Sequence, residues 1–199
     1  MNIKKSIICL LSVLSFFTNG ETISTGSLAP DFKLSGYPKK VNLSEYRESY
    51  VVLEWYNDGC PFVRKHYDVG NMQAIQKKYK NKVKWLTINS SAEGKQGHLA
   101  NAAKAEEKYK SEKMYSAALL LDGNGKVGKK YGAKTTPHMF IIGPKGKIVY
   151  QGAIDSISSA DSNDISKSKN YVSLALDQVL AGKKVTMGKT RPYGCSVKY

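Results

Sequence analysis

Cysteine is scarce in this 199-residue chain, with three in all, so any thiol chemistry is confined to a few positions. Arginine is scarce too. The 31 basic residues outnumber the 16 acidic ones and give a formal charge of +15, yet nearly all of them are lysines. They fall at 77, 78, 80, 82 and 84, between 104 and 113, and at 129 and 130, on what read as helix faces. No nucleic-acid motif accompanies them, so solvated helices explain the charge better than a nucleic-acid surface. The excess still favours acidic partners or an anionic membrane surface. No internal repeat is visible, and the apolar run at 7–17 is shorter than the roughly 20 residues a membrane-spanning helix needs. Gly123, Gly125 and Gly128 have the spacing of a dinucleotide loop, but no acidic residue follows at a distance suited to a ribose. Asp122 and Asn124 suggest a calcium loop, but Lys126 stands where an oxygen ligand is required. A turn after a strand remains, and neither a cofactor nor a metal ion is expected.

Lys4 and Lys5 precede the apolar run, which ends in Thr18-Asn19-Gly20. A basic start, a short apolar middle and small residues at the end describe a secretory signal peptide over residues 1–20. Cys9 lies inside the apolar run with almost no hydrophobic segment before it, which argues against a lipid-modified cysteine. The expectation is a periplasmic or secreted protein without stable membrane insertion once the signal is removed. The remainder is long enough for one domain with a proper core, at 21–189, followed by a tail at 190–199. It keeps two cysteines, Cys60 and Cys195, and an even pair in an oxidising compartment invites one disulfide.

The stretch VVLEWYNDGCPFVRKH, residues 51–66, carries the strongest chemical pattern. Its first six residues read as a buried strand. A short turn follows, then Cys60 at the mouth of a helix, with Pro61 at the first helical position, where a missing N–H costs nothing. Free backbone N–H groups and the positive end of the helix dipole converge on such a sulfur. They favour the thiolate, which lowers the pKa of Cys60 and raises its reactivity. Arg64, one turn on, is placed to add a cation on the same side. Glu54 interrupts an otherwise apolar strand, and burial would raise its pKa towards the range of a general acid or base.

This segment resembles the active-site segment of the thioredoxin superfamily, and more closely its redoxin branch, the AhpC/TSA-like and TlpA-like proteins. Thioredoxins carry two cysteines separated by two residues; here Cys60 takes the first place and Val63 the second. Glu54 matches the buried acid beneath their active site. Ala29-Pro30-Asp31-Phe32 is similar to the first strand of redoxins, and Thr136-Pro137 to the cis-proline loop that faces the reactive cysteine. The resemblance runs from Ser27 to about Leu180, and CPFV with TTPHMF resembles exported redoxins with a single cysteine in the motif. It implies a thioredoxin-like α/β fold: a central mixed sheet with helices on both faces, an N-terminal extension and an inserted helix. It also implies that Glu54 shuttles a proton, and that Pro61, Thr136, Pro137 and His138 contact a substrate. Two departures stand out. Val63 removes the usual partner thiol, and the peroxiredoxin pattern of Pro and Thr before the cysteine reads Leu53 and Asn57.

Along the rest of the chain, the Cys60 helix is expected to run to about residue 79, because Met72, Ile75 and Tyr79 recur at helical spacing. A strand at 83–89 is continuously apolar enough for a parallel sheet covered on both faces. Its following loop, 89–98, should then emerge beside Cys60, where α/β sheets bind ligands. A polar helix at about 99–113, a strand at 117–121 and a short helix at 127–131 follow. A hairpin comes next, with strands at 138–142 and 148–151. Residues 155–169 give little reason for order, and an amphipathic helix at 171–180 closes the domain. Three functions stay open. The first is a thiol oxidoreductase: Cys60 attacks a protein or small-molecule disulfide, or a peroxide, Cys195 is the candidate resolving thiol, and a thiol reductant recycles the pair. The second is copper binding through Cys60, Cys195 and His138. The third is a non-catalytic module stapled by a permanent Cys60–Cys195 disulfide.

Overall fold

The computed structural model describes residues 23–199, so the signal-peptide assignment lies outside the described residues. A seven-stranded mixed sheet forms the centre, in the order β2-β1-β5-β4-β3-β7-β8. The strands are β1 (Lys33–Tyr37), β2 (Val41–Asn42), β3 (Tyr50–Trp55), β4 (Val83–Asn89), β5 (Ala118–Leu121), β7 (His138–Ile142) and β8 (Ile148–Gly152). Central β3 lies parallel to β4 and antiparallel to β7. Both of its faces are covered, which explains why its residues are apolar without alternation. Val52 and Tyr56 enter one core, together with Cys60, Val63, Met139 and Ile141. Val51, Leu53 and Trp55 enter the other, with Phe140 and Ile142.

Helices α1 (Pro61–Tyr67), α2 (Asn71–Tyr79) and α5 (Tyr171–Leu180) cover the first face through Val63, Met72, Ile75, Val172 and Leu176. The inserted α3 (Ala102–Ser111) adds Ala105 to the same core. Helix α4 (Lys126–Tyr131) packs Val127 and Tyr131 into the second. A second, two-stranded sheet pairs β6 (Thr135–Thr136) with β9 (Cys195–Ser196).

Two expectations are corrected. The helix after Cys60 does not continue to residue 79: it stops at Tyr67, and Gly70, at φ 73°, opens a second helix. A left-handed residue cannot lie within an α-helix, and glycine adopts that conformation without steric cost. Residues 155–169 are also ordered. Their ends are joined by the Ser156 N–H on the Lys169 carbonyl at 3.0 Å, and Asp161 caps a 3-10 turn at Ser162–Asp164. Composition missed this because buried Asp155, described below, ties the segment to α1.

Candidate functional site

The site lies where β3 ends. A tight turn follows Trp55: the Cys60 N–H donates to the Asn57 carbonyl at 3.1 Å, and the Gly59 N–H to Asn57 Oδ1 at 2.8 Å. The loop after β4 meets this turn. Asn57 Nδ2 donates to the Gln96 carbonyl at 2.9 Å, and Gln96 Nε2 donates to the Gly59 carbonyl at 3.1 Å. Cys60 occupies the N-cap position of α1 without a side-chain capping bond, and Pro61 opens the helix.

The Cys60 side chain is fully buried. Its thiol donates to the Thr136 carbonyl at 3.0 Å, and the bond from Thr136 to Pro137 is cis. Across Thr136 stands Cys195, its register partner in the β6–β9 pair. Cys195 packs against the core that holds Cys60, next to the Thr136 carbonyl that Cys60 touches, and both cysteines are free thiols. Burial opposes ionisation of Cys60. The polar groups gathered around its sulfur, those of Cys195 and Thr136 and the N–H end of α1, favour the thiolate and outweigh it, so the Cys60 pKa is lowered. Cys195 moves the other way, to about 11, through burial and through the charge that Cys60 takes on. The pair therefore holds its first negative charge at Cys60.

The tail is fastened on both sides of Cys195. The Tyr193 hydroxyl donates to Asp155 and its ring meets Phe62 of α1 edge-on, with centroids 5.8 Å apart. Gly194, at φ 134°, lies so close to Thr136 that a Cβ there would overlap the Thr136 carbonyl. Beyond β9, the Val197 N–H donates to the Lys134 carbonyl at 3.1 Å and the Ala92 N–H to the Lys198 carbonyl at 2.7 Å. The Tyr199 hydroxyl reaches the Ala133 carbonyl at 2.8 Å. Asp155 is itself buried against Lys65 of α1, with 3.2 Å between carboxylate and ammonium. In the sequence Tyr193 and Gly194 read only as a turn-prone setting for Cys195, where the tail could fold back, and nothing assigns Asp155 or Lys65 to the site. The signal within reach was the glycine directly before Cys195.

The other named residues are placed as follows. Glu54 is fully buried, and burial raises its pKa despite hydrogen bonds from Trp85 (2.7 Å), Tyr67 (2.7 Å), Gln76 (3.1 Å) and Thr87 (3.3 Å). Neither cysteine is among these partners. Arg64 does not turn towards Cys60. Its guanidinium pairs with Glu112 at 2.8 Å and with Asp68 at 3.4 Å, because a buried carboxylate holds it more strongly than a sulfur behind the helix end. His138 does not face Cys60 either. Strand alternation puts it on the side of Phe140, 4.6 Å from that ring, where burial depresses its pKa to about 3. A copper site made of Cys60, Cys195 and His138 is therefore not assembled, and no group of three His, Cys, Asp or Glu residues suited to a metal occurs among the described residues.

Solved structures share this architecture. A hypothetical protein from Sinorhizobium meliloti is 23% identical, with a TM-score of 0.72 over 89% of this chain and 95% of that one. An uncharacterized conserved protein from Geobacillus kaustophilus is 22% identical, with a TM-score of 0.74 over 90% and 94%. The thioredoxin domain of a thiol-disulfide oxidoreductase from Bacteroides vulgatus is 19% identical, with a TM-score of 0.53 over 73% and 97%. At such identities the likeness is one of fold. No curated protein matches the sequence. The profile of the AhpC/TSA family matches residues 25–151, which span β1 to β8 and include Cys60 and the cis-proline loop. With that match over more than half its length and the thioredoxin-like sheet around Cys60, the chain belongs to the AhpC/TSA family, in the redoxin branch of the thioredoxin superfamily.

Proposed function

We propose that the protein is an exported thiol-disulfide oxidoreductase whose two working sulfurs are Cys60 and Cys195. The observation that carries this reading is that the β6–β9 pairing sets Cys195, 135 positions away in the sequence, opposite the Thr136 whose carbonyl Cys60 touches, with both thiols free. Cys60 thiolate attacks one sulfur of a substrate disulfide and expels the other half as a thiolate. Cys195 then attacks the Cys60 sulfur of the mixed disulfide and releases the second half. The product is a Cys60–Cys195 disulfide, and the substrate has gained two electrons. Cys195, on β9, supplies the second thiol that Val63 does not. Because Cys60 is buried beneath the tail, substrate reaches it with the tail raised. A disulfide suits this site better than a peroxide, since the site lacks the peroxiredoxin residues and has Leu53 and Asn57 in their places. The segment at 1–20 and a cysteine pair able to bridge both fit an oxidising compartment.

The test uses reduced protein with oxidised glutathione and, separately, hydrogen peroxide, read by thiol titration and intact mass. Wild type should lose both thiols to glutathione disulfide without retaining a glutathione adduct. Cys60→Ser should be inert, and Cys195→Ser should stop at a mixed disulfide on Cys60. Full turnover by Cys60→Ser would overturn the proposal. A Cys60–Cys195 disulfide that resists dithiothreitol in the folded protein would make the pair a staple instead.

A further inference from the structure

We propose that the edge of the sheet opposite the cysteines is a docking surface for an anionic lipid bilayer, formed by Lys77, Lys80, Lys82, Lys84, Lys113 and Tyr115. This surface goes beyond the redox chemistry and does not depend on it. The topology places it. Helix α2 ends at Tyr79 and β4 starts at Val83, so the four lysines between 77 and 84 gather where β4 begins. Residues 113–115 lead into β5, which runs parallel to β4, and so they reach the same edge. The Tyr115 N–H donates to Gln76 Oε1 at 2.9 Å, which fastens that segment to α2. Cys60 follows β3, also parallel to β4, and lies beyond the other ends of these strands. The seven residues of β4 separate the two edges by roughly 20 Å.

Charge and exposure set this edge apart. The five lysines are exposed, and none of them forms an ion pair among the described residues. Neighbouring carboxylates are turned elsewhere. Glu112, directly before Lys113, is buried and pairs with Arg64 at 2.8 Å, and Asp177 holds Lys78 at 3.1 Å. Glu48, ahead of β3, is kept on the β7 side by its N–H on the Pro144 carbonyl at 2.9 Å. Tyr115 is 40% exposed, with the ammonium groups of Lys77 and Lys80 at 5.5 and 5.9 Å from its ring centroid. A patch of unpaired cations raises the local concentration of anions.

The residue types select the partner. Lysine is a compact charge on a flexible stem, which suits the diffuse charge of a headgroup layer. Arginine's fork suits a fixed carboxylate or phosphate, and the patch contains no arginine. Tyrosine sets an apolar ring at headgroup depth and keeps its hydroxyl in water. Among the described residues no helix is long and apolar enough to cross a membrane, so contact at this edge is peripheral. Each lysine that reaches an anionic surface multiplies the partition by about fivefold. A bilayer at this edge leaves the cysteines on the far side of the sheet, facing solvent.

The test is co-sedimentation of the full mature chain with vesicles of phosphatidylcholine, alone or with about 30 mol% phosphatidylglycerol, at low ionic strength. Wild type should bind the anionic vesicles at least about tenfold more tightly than the neutral ones. It should be released in about 1 M salt, where the screening length falls to about 3 Å. Changing Lys77, Lys80, Lys82 and Lys84 together to Gln should weaken that binding by at least about tenfold. Four equivalent changes at the cysteine edge, Lys33, Lys95, Lys126 and Lys169 to Gln, should weaken it by less than about threefold. Tyr115→Ser, which keeps the charge, should weaken it by at least about twofold, and an unaltered affinity would overturn the role of the ring. Equal losses in the two quadruple variants would reduce the effect to net charge and overturn the proposal. So would equal binding to neutral vesicles, or no binding to anionic ones. Retention on immobilised polyglutamate without binding to vesicles would assign the edge to an acidic protein and overturn the lipid surface.

Discussion

Removing the Asp155 carboxylate should both destabilise the protein and free its tail. Lys65 and Asp155 are 3.2 Å apart, with side chains 0% and 1% exposed, so water screens neither charge. The carboxylate also accepts hydrogen bonds from the Tyr193 hydroxyl, from Ser168 Oγ at 3.2 Å and from the Ile157 N–H at 3.1 Å. In Asp155→Ala the Lys65 ammonium keeps the Ile157 carbonyl at 2.9 Å and the Tyr193 hydroxyl at 3.4 Å, but no countercharge. Breaking a buried pair from one side costs about 3–5 kcal/mol. Urea unfolding of the reduced protein at neutral pH, followed by fluorescence of buried Trp55 and Trp85, measures this loss. The double variant Lys65→Met with Asp155→Ala should cost less than the sum of the two single changes, by about 2 kcal/mol, because no unpaired charge remains. The same carboxylate holds Tyr193, two residues before Cys195. Maleimide labelling of Cys60 in folded Asp155→Ala should therefore be faster than in wild type. A loss below about 1 kcal/mol, or additive single and double variants, would refute the claim that the pair is buried and coupled. Unchanged Cys60 labelling would refute the link from Asp155 to the tail.

Two further predictions concern the tail and the sheet. Gly194→Val places a Cβ on the Thr136 carbonyl at φ 134°, so it should displace β9. Diamide should then form the Cys60–Cys195 disulfide at least tenfold more slowly than in wild type, with Cys60 labelling increased; an unchanged disulfide rate would show that the close approach is dispensable. His138 has a folded pKa of about 3, below its unfolded value of 6.5. The unfolded chain then binds the extra proton between these values, so stability is full above pH 6.5 and is lost as pH falls towards 3. The loss is on the order of 4 kcal/mol. His138→Phe should flatten that part of the stability–pH curve in urea titrations, and an unaltered slope would exclude the histidine as its source.

The sequence determined what depends on near neighbours. Residues 51–56 are apolar enough to form a strand covered on both faces, and Pro61 after Cys60 starts a helix there because proline suits a first turn. Met139 and Ile141 alternate with His138, Phe140 and Ile142, which marks a strand with two different faces. The alternation sets His138 on the face opposite Met139 and Ile141, but only the packing of β3 and α1 decides that Cys60 lies with Met139 and Ile141. The break at Gly70 was legible as a glycine inside a helical pattern, and the apolar repeat beyond it obscured that signal. Tertiary structure alone decided the partners. No local rule brings position 195 beside position 60, because a contact across 135 residues depends on β9 pairing with β6, which the fold holds against Cys60. The same holds for Lys65 with Asp155 and for Arg64 with Glu112. Each joins charges from distant segments, and for Lys65 and Asp155 burial makes the pairing obligatory once the fold has removed them from water.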